Sequence, residues 1–93
     1  VDMSHGNSQK QFKKQLLVNK DISDQIASGN RNIFGVMIES HLEEGNQKID
    51  SLKNLKYGQS VTDACVSWKD TEVMLKLLAK AVDSRRKKLK QSA

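Results

Sequence analysis

Two short segments of strand character, residues 1–5 (VDMSH) and 32–39 (NIFGVMIE), flank an amphipathic run of helix length. This order constrains the fold more than any other feature of the chain. Val1 and Met3 are apolar, and residues 33–38 are almost continuously so, the pattern of strands buried on both faces. Gly35 inside the second segment predicts close approach by a neighbouring side chain. Between the segments Ser8 is a candidate N-cap, and Phe12, Leu16, Ile22 and Ile26 recur at near-helical spacing. Gly29 and Asn30 then supply a left-handed stop, so a helix is predicted over about 9–28. A strand–helix–strand of this length is a βαβ crossover, whose parallel strands need cover on both faces. Two strands cannot cover themselves, so the expectation is a slice of a larger α/β protein.

Downstream, residues 40–67 hold Gly45, Gly58 and scattered charges without sustained periodicity. They are predicted to form one long loop, far beyond the usual ~4–6 residues; loops of that kind are commonly functional or disordered. Val73, Met74, Leu77, Leu78, Ala81 and Val82 fall on one stripe, giving a last helix over about 70–88. Composition agrees with an incomplete domain. Hydrophobic residues are 37% of the 93, and the five glycines bring the share to roughly 42%, below the usual ~45–50%. The opening on Val1 rather than Met adds to the expectation of a fragment. No apolar run approaches the ~20 residues of a membrane span, and the polar first ten residues offer no secretory signal. No membrane partner is therefore expected. The single cysteine, Cys65, has no internal disulfide partner, which favours a reducing compartment such as the cytoplasm.

The net charge of +5 is concentrated in two clusters: Lys10, Lys13, Lys14 and Lys20, then Arg85, Arg86, Lys87, Lys88 and Lys90. A small basic nucleic-acid-binding or helical interaction module is the alternative that this charge raises. Against the nucleic-acid reading, Phe34, Tyr57 and Trp68 lie away from both clusters, and Phe12 is the one aromatic residue that falls among these lysines. Cations at a helix C-terminus also complement its dipole, so the charge reads as a solvated helix surface. No nucleic-acid partner is expected.

Polar groups collect where α/β proteins keep their sites, just past the carboxyl ends of strands. His5 ends the first segment, Glu39 ends the second, and Asp63 lies in the long loop. One imidazole and two carboxylates suit Mn²⁺, Fe²⁺, Co²⁺ or Zn²⁺ better than Ca²⁺. The intervals of 34 and 24 residues match no short metal motif, so on spacing alone a loop imidazole, an exposed Glu and a capping Asp are the favoured readings over a shared metal site. His41 reads as a solvated loop residue, and Cys65, beside Ala64 and Val66, as a small buried hydrophobe.

Three ordered motifs narrow these alternatives. They are Ser4-His5-Gly6-Asn7-Ser8 with Lys10 to Gln15 behind it, Gly35 to Ser40 running on to Gln47, and Tyr57 to Cys65 followed by Trp68, Asp70 and Thr71. Together they closely resemble the C-terminal end of class I 3-deoxy-D-arabino-heptulosonate 7-phosphate (DAHP) synthases, which open the shikimate pathway of aromatic amino acid biosynthesis. The resemblance covers nearly all of the chain, and the basic tail is its least constrained part. It implies the last two βα units of a (β/α)₈ TIM barrel, all within the C-terminal part of one catalytic domain. Residues 1–5 and 32–39 would be the last two strands, and residues 40–67 the final active-site loop.

The activity implied is condensation of phosphoenolpyruvate with erythrose 4-phosphate to DAHP and phosphate by a homo-oligomeric transferase that requires a divalent metal. Three of the family's four metal ligands match His5, Glu39 and Asp63 in order and spacing. The fourth, a Cys from the first barrel strand, lies outside these residues, and Cys65 aligns with a different, non-ligand cysteine. The implied mechanism is Lewis-acid activation of the sugar aldehyde, with His5 neutral as a ligand and Asp63 also orienting a water or relaying a proton. The phosphate-gripping residues and the amino-acid effector site would come from the remainder of the barrel, so the piece alone is predicted to be inactive. Ser67 and Lys69 depart from the Gly and Glu that many relatives carry around Trp68.

Overall fold

The structure is a computed structural model that describes residues 1–9, 11–50 and 52–92. Lys10, from the first basic cluster, lies outside the described residues. Two α-helices dominate: α1, Lys14–Ala27, and α2, Trp68–Ser92, with short 3₁₀ turns at Gly6–Ser8 and Leu52–Asn54.

The expected α/β architecture is not what forms. Among the described residues there is no β-strand, sheet or barrel, only four isolated bridges, so the TIM-barrel expectation for residues 1–5 and 32–39 is corrected. The two segments do meet in parallel at Asp2 and Met37, where the Met3 N–H donates to Met37 O (2.9 Å) and the Met37 N–H to Val1 O (2.8 Å). The ladder stops there because side chains take the groups a further rung would need. The Glu39 N–H, which that rung would use, donates to Gln15 Oε1 (3.1 Å), and the Glu39 carbonyl accepts Gln15 Nε2–H (3.2 Å). The segment 32–39 is also less buried than expected. Ile33 is in the core, but Phe34 is 95% exposed, and a Cβ on Gly35 would meet nothing within 4 Å, so the close approach predicted there is corrected too.

The start of α1 lies later than Ser8 suggested. The Ser8 hydroxyl donates back to Ser4 O (2.7 Å) rather than capping a helix, and Gln9 takes a left-handed φ of 54°. The helix ends as the sequence reads. Gly29 sits at φ +108°, its N–H donates to Ile26 O (2.9 Å), and the Asn30 N–H donates to Gln25 O (3.1 Å), the paired bonds of a Schellman stop. Ser67 starts α2: its hydroxyl oxygen accepts the Asp70 N–H (3.1 Å), and Asp70 adds an acid to the first turn.

The core lies between the helices. Ile22 and Ile26 of α1 pack with Met74 and Ala81 of α2, joined by Met3, Ile33 and Val66 from the connecting segments. Phe12, Leu16, Leu78 and Val82 lie partly buried around them, whereas Val73 and Leu77, on the expected stripe, stay exposed. The buried face of α1 is unusually polar, with Gln15, Asn19 and Ser23 one turn apart on it. No helix among the described residues is long and apolar enough to cross a membrane.

Candidate metal centre

Three chain segments converge at one edge of the helix pair, each carried by its own hydrogen bonds. His5 follows the Asp2–Met37 bridge and opens the 3₁₀ turn at Gly6–Ser8. Glu39 is held through its backbone: the fully buried Gln15 side chain accepts its N–H and donates Nε2–H to its carbonyl (3.2 Å). That carbonyl also accepts the Val66 N–H (3.0 Å), which ties Glu39 to the far end of the long connection.

Asp63 is delivered by a connection that folds back on itself. Gly45 and Cys65 exchange two backbone hydrogen bonds (2.8 and 3.1 Å), and the Gln47 N–H donates to Ser60 O (2.8 Å). The Gln47 amide bonds the backbone of Lys56 and Gln59, Gln59 donates to Glu44 O, and Asn46 donates to Thr62 O. Gly58 permits the turn at φ +79°, and a Cβ there would fall 2.9 Å from Leu42 Cβ. The described residues of this connection, expected to form one long loop, are therefore laced by side-chain amides.

The result is a compact donor set. His5 Nε2 lies 3.0 Å from Glu39 Oε1 and 3.2 Å from Asp63 Oδ2. One ligand atom from each of His5, Glu39 and Asp63 falls within 4.8 Å of the other two. On the other side of the ring, His5 Nδ1 lies 2.7 Å from Asp2 Oδ2. Asp2 foremost, then Asp63 and Glu39, favour the protonated ring, and His5 holds its proton to higher pH than an ordinary histidine. In turn, hydrogen bonds from Ser4 and His5 push the Asp2 carboxyl far below its usual range. In the protonated ring, Nε2–H points to the place that a cation would take. Nitrogen and oxygen donors with a carboxylate behind the imidazole fit a divalent transition-metal ion.

The remaining candidates fall outside the cluster. His41 is exposed and accepts the Leu42 N–H at Nδ1 (2.9 Å). Cys65 is a buried free thiol whose pKa is raised by burial, and its Sγ bonds Asp63 O (3.5 Å). The sequence reading passed over Asp2 and Gln15. For Asp2 the available signal was an acid three residues before the histidine. For Gln15 it was the amide–amide–hydroxyl series at 15, 19 and 23 on one helix face.

Comparison with known proteins matches these same segments. A sequence model of the DAHP synthetase I family matches residues 1–76. The Phe-sensitive phospho-2-dehydro-3-deoxyheptonate aldolase of Escherichia coli K12 is 56% identical over 86 residues, covering 92% of this chain and 25% of that protein. A Trp-sensitive phospho-2-dehydro-3-deoxyheptonate aldolase of Salmonella typhimurium is 59% identical over 85 residues, covering 91% of this chain and 24% of that protein. The solved structure of phospho-2-dehydro-3-deoxyheptonate aldolase from Francisella tularensis SCHU S4 matches with a TM-score of 0.85 at 56% identity, covering 90% of this chain and 24% of that one. The chain spans about a quarter of the length of the relatives it matches. By a family match that runs through His5, Glu39 and Asp63 alike, the chain belongs to the DAHP synthetase I family.

Proposed function

We propose that His5, Glu39 and Asp63 are metal ligands in an enzyme that condenses phosphoenolpyruvate with erythrose 4-phosphate, giving DAHP and inorganic phosphate in aromatic amino acid biosynthesis. The observation that carries this reading is the convergence of three donors from sequence positions 5, 39 and 63 within 4.8 Å. Family membership supports the same reading. A divalent ion held there would supply Lewis-acid activation of the sugar aldehyde toward attack by C3 of phosphoenolpyruvate.

The chain's own residues supply the rest. His5 must release the proton on Nε2 to act as a ligand, while Nδ1 keeps its hydrogen bond to Asp2. Glu39 and Asp63 bring two negative charges to a site that a bare imidazolium balances only in part. Asp63, about half exposed, is the carboxylate best placed to orient water or relay a proton at the open side. These residues form the C-terminal part of one catalytic domain, whose remainder provides the phosphate-binding groups and covers the exposed Phe34 and Met37. The intact protein works as a homo-oligomer in the cytoplasm, where the buried thiol of Cys65 stays reduced.

The test is replacement of the ligands in the intact protein. Glu39→Ala and Asp63→Ala are expected to lose Mn²⁺ binding by calorimetry and DAHP formation, with circular dichroism unchanged. Substantial turnover by either variant at saturating Mn²⁺ would refute the assignment.

A further inference from the structure

Asp2 holds the other face of the imidazole, and its environment leaves it little freedom. Its Oδ1 accepts both the Ser4 N–H (2.8 Å) and the Ser4 hydroxyl (2.7 Å). Its backbone carbonyl accepts Asn7 Nδ2–H (2.7 Å), and its neighbours Val1 and Met3 are bonded to Met37. That leaves Oδ2, 2.7 Å from His5 Nδ1, closer than either contact of Nε2. Ser4 Oγ is 3.3 Å from the same nitrogen, but its proton is committed to Asp2.

The two ring nitrogens therefore face unlike tasks. A neutral imidazole carries one N–H, and a carboxylate can only accept a hydrogen bond. With Asp2 on Nδ1, the proton of the neutral ring belongs on Nδ1, and the lone pair of Nε2 points toward Glu39 and Asp63. We propose that Asp2 is a positioning residue of the metal site, selecting the Nδ1–H tautomer and the ring orientation that present Nε2 of His5 as a ligand. This rests on the reading of His5 as a ligand. Carboxylates behind ligating histidines typically contribute 10–100-fold to metal affinity, and the same scale is expected here.

The experiment uses the intact metal-free protein with ¹⁵N-labelled histidine, at a pH where the ring is neutral, and Mn²⁺ titrations by calorimetry. In the native protein the His5 nitrogen shifts are expected to report the Nδ1–H tautomer. Asp2→Asn is expected to weaken Mn²⁺ binding by about 10–100-fold and to shift the ring toward Nε2–H, because an amide can donate to Nδ1. Ser4→Ala, which leaves the Asp2–His5 contact in place, is expected to bind close to the native protein. His5→Ala separates the two readings. If it binds Mn²⁺ like the native protein, the ligand assignment fails, and the role of Asp2 with it. If it loses the metal while Asp2→Asn keeps native affinity and tautomer, only the role of Asp2 fails. A predominant Nε2–H tautomer in the native protein overturns the inference without any variant, so the test survives misfolding of Asp2→Asn.

Discussion

The helix pair and the site-bearing segments are held together by different forces. Between α1 and α2 the contacts are apolar, with Ile22, Ile26, Met74 and Ala81 buried against one another. Around the candidate metal centre, the described residues of 1–9 and 39–66 contribute little core beyond Met3, Cys65 and Val66, and their backbone is tied down by Asp2, Gln15, Asn46, Gln47 and Gln59. Packing tolerates small adjustments, because apolar attraction has no direction. A side-chain amide bonded to a peptide does not, because its loss strands a donor and an acceptor at a defined point. The helices thus provide the platform, and the amide network sets where His5, Glu39 and Asp63 stand.

Variants in the two regions should differ in kind. The greatest effect is expected at the ligands, where Asp63→Ala should lower turnover by about a thousandfold or more with the melting temperature little changed. Equal losses of stability and activity, seen by calorimetry and steady-state rates, would place Asp63 in the platform instead. In the helix pair, Met74→Ala should cost about 2–5 kcal/mol in denaturant unfolding, with Mn²⁺ affinity of the folded fraction preserved. Gln15→Leu should cost about 2–3 kcal/mol by leaving both backbone groups of Glu39 without their amide partner, and it should also weaken Mn²⁺ binding. Native affinity in Gln15→Leu would show that the Glu39 position is set by the carbonyl bond to Val66 alone.

At the proposed site a proton and a metal ion would compete for Nε2 of His5, with opposite signs. The raised pKa of His5 means that the charged ring stabilises the metal-free fold fully below its ordinary value near ~6.5. That contribution is lost as pH rises through the raised value. Metal binding runs the other way: Mn²⁺ affinity should fall about tenfold per pH unit below the His5 pKa and level off above it. Titrations between about pH 5.5 and 8.5 measure this, and a flat profile would remove His5 from the ligand set. The smallest effect is expected at the exposed Lys56–Glu43 pair (3.6 Å), where Lys56→Ala should change stability by less than about 0.5 kcal/mol.

How much could be read beforehand depended on whether the information was local. The Gly29-Asn30 stop is local, and it forms as read. The Ser8 cap failed because the competing acceptor, Ser4 O, belongs to a turn that exists only once the chain bends around Asp2. The strands failed for a related reason. Apolar β-branched runs favour extended backbone, but a ladder needs unclaimed backbone groups, and Gln15 claims both of those that Glu39 would offer. Along residues 12–26 the apolar spacing points to Phe12 and Leu16, while the fully buried positions of α1 include Gln15 and Asn19, which hydropathy assigns to solvent.

His5, Glu39 and Asp63 were singled out by their residue types, their positions at segment ends and their family resemblance. Residue order alone placed them 34 and 24 positions apart and gave no distance between their side chains. The amino-acid sequence by itself determined the two amphipathic helices, the Gly29-Asn30 stop of α1 and the chemical character of the donors, because these follow from interactions within a few residues. Only the tertiary structure decided that the three donors share one point, that Gln15 grips Glu39 and that Asp2 stands behind His5. The first two join segments made neighbours by helix packing and amide bonds, so no short window of sequence contains both partners, whereas the Asp2–His5 contact spans three positions but depends on a turn that residue types alone do not fix.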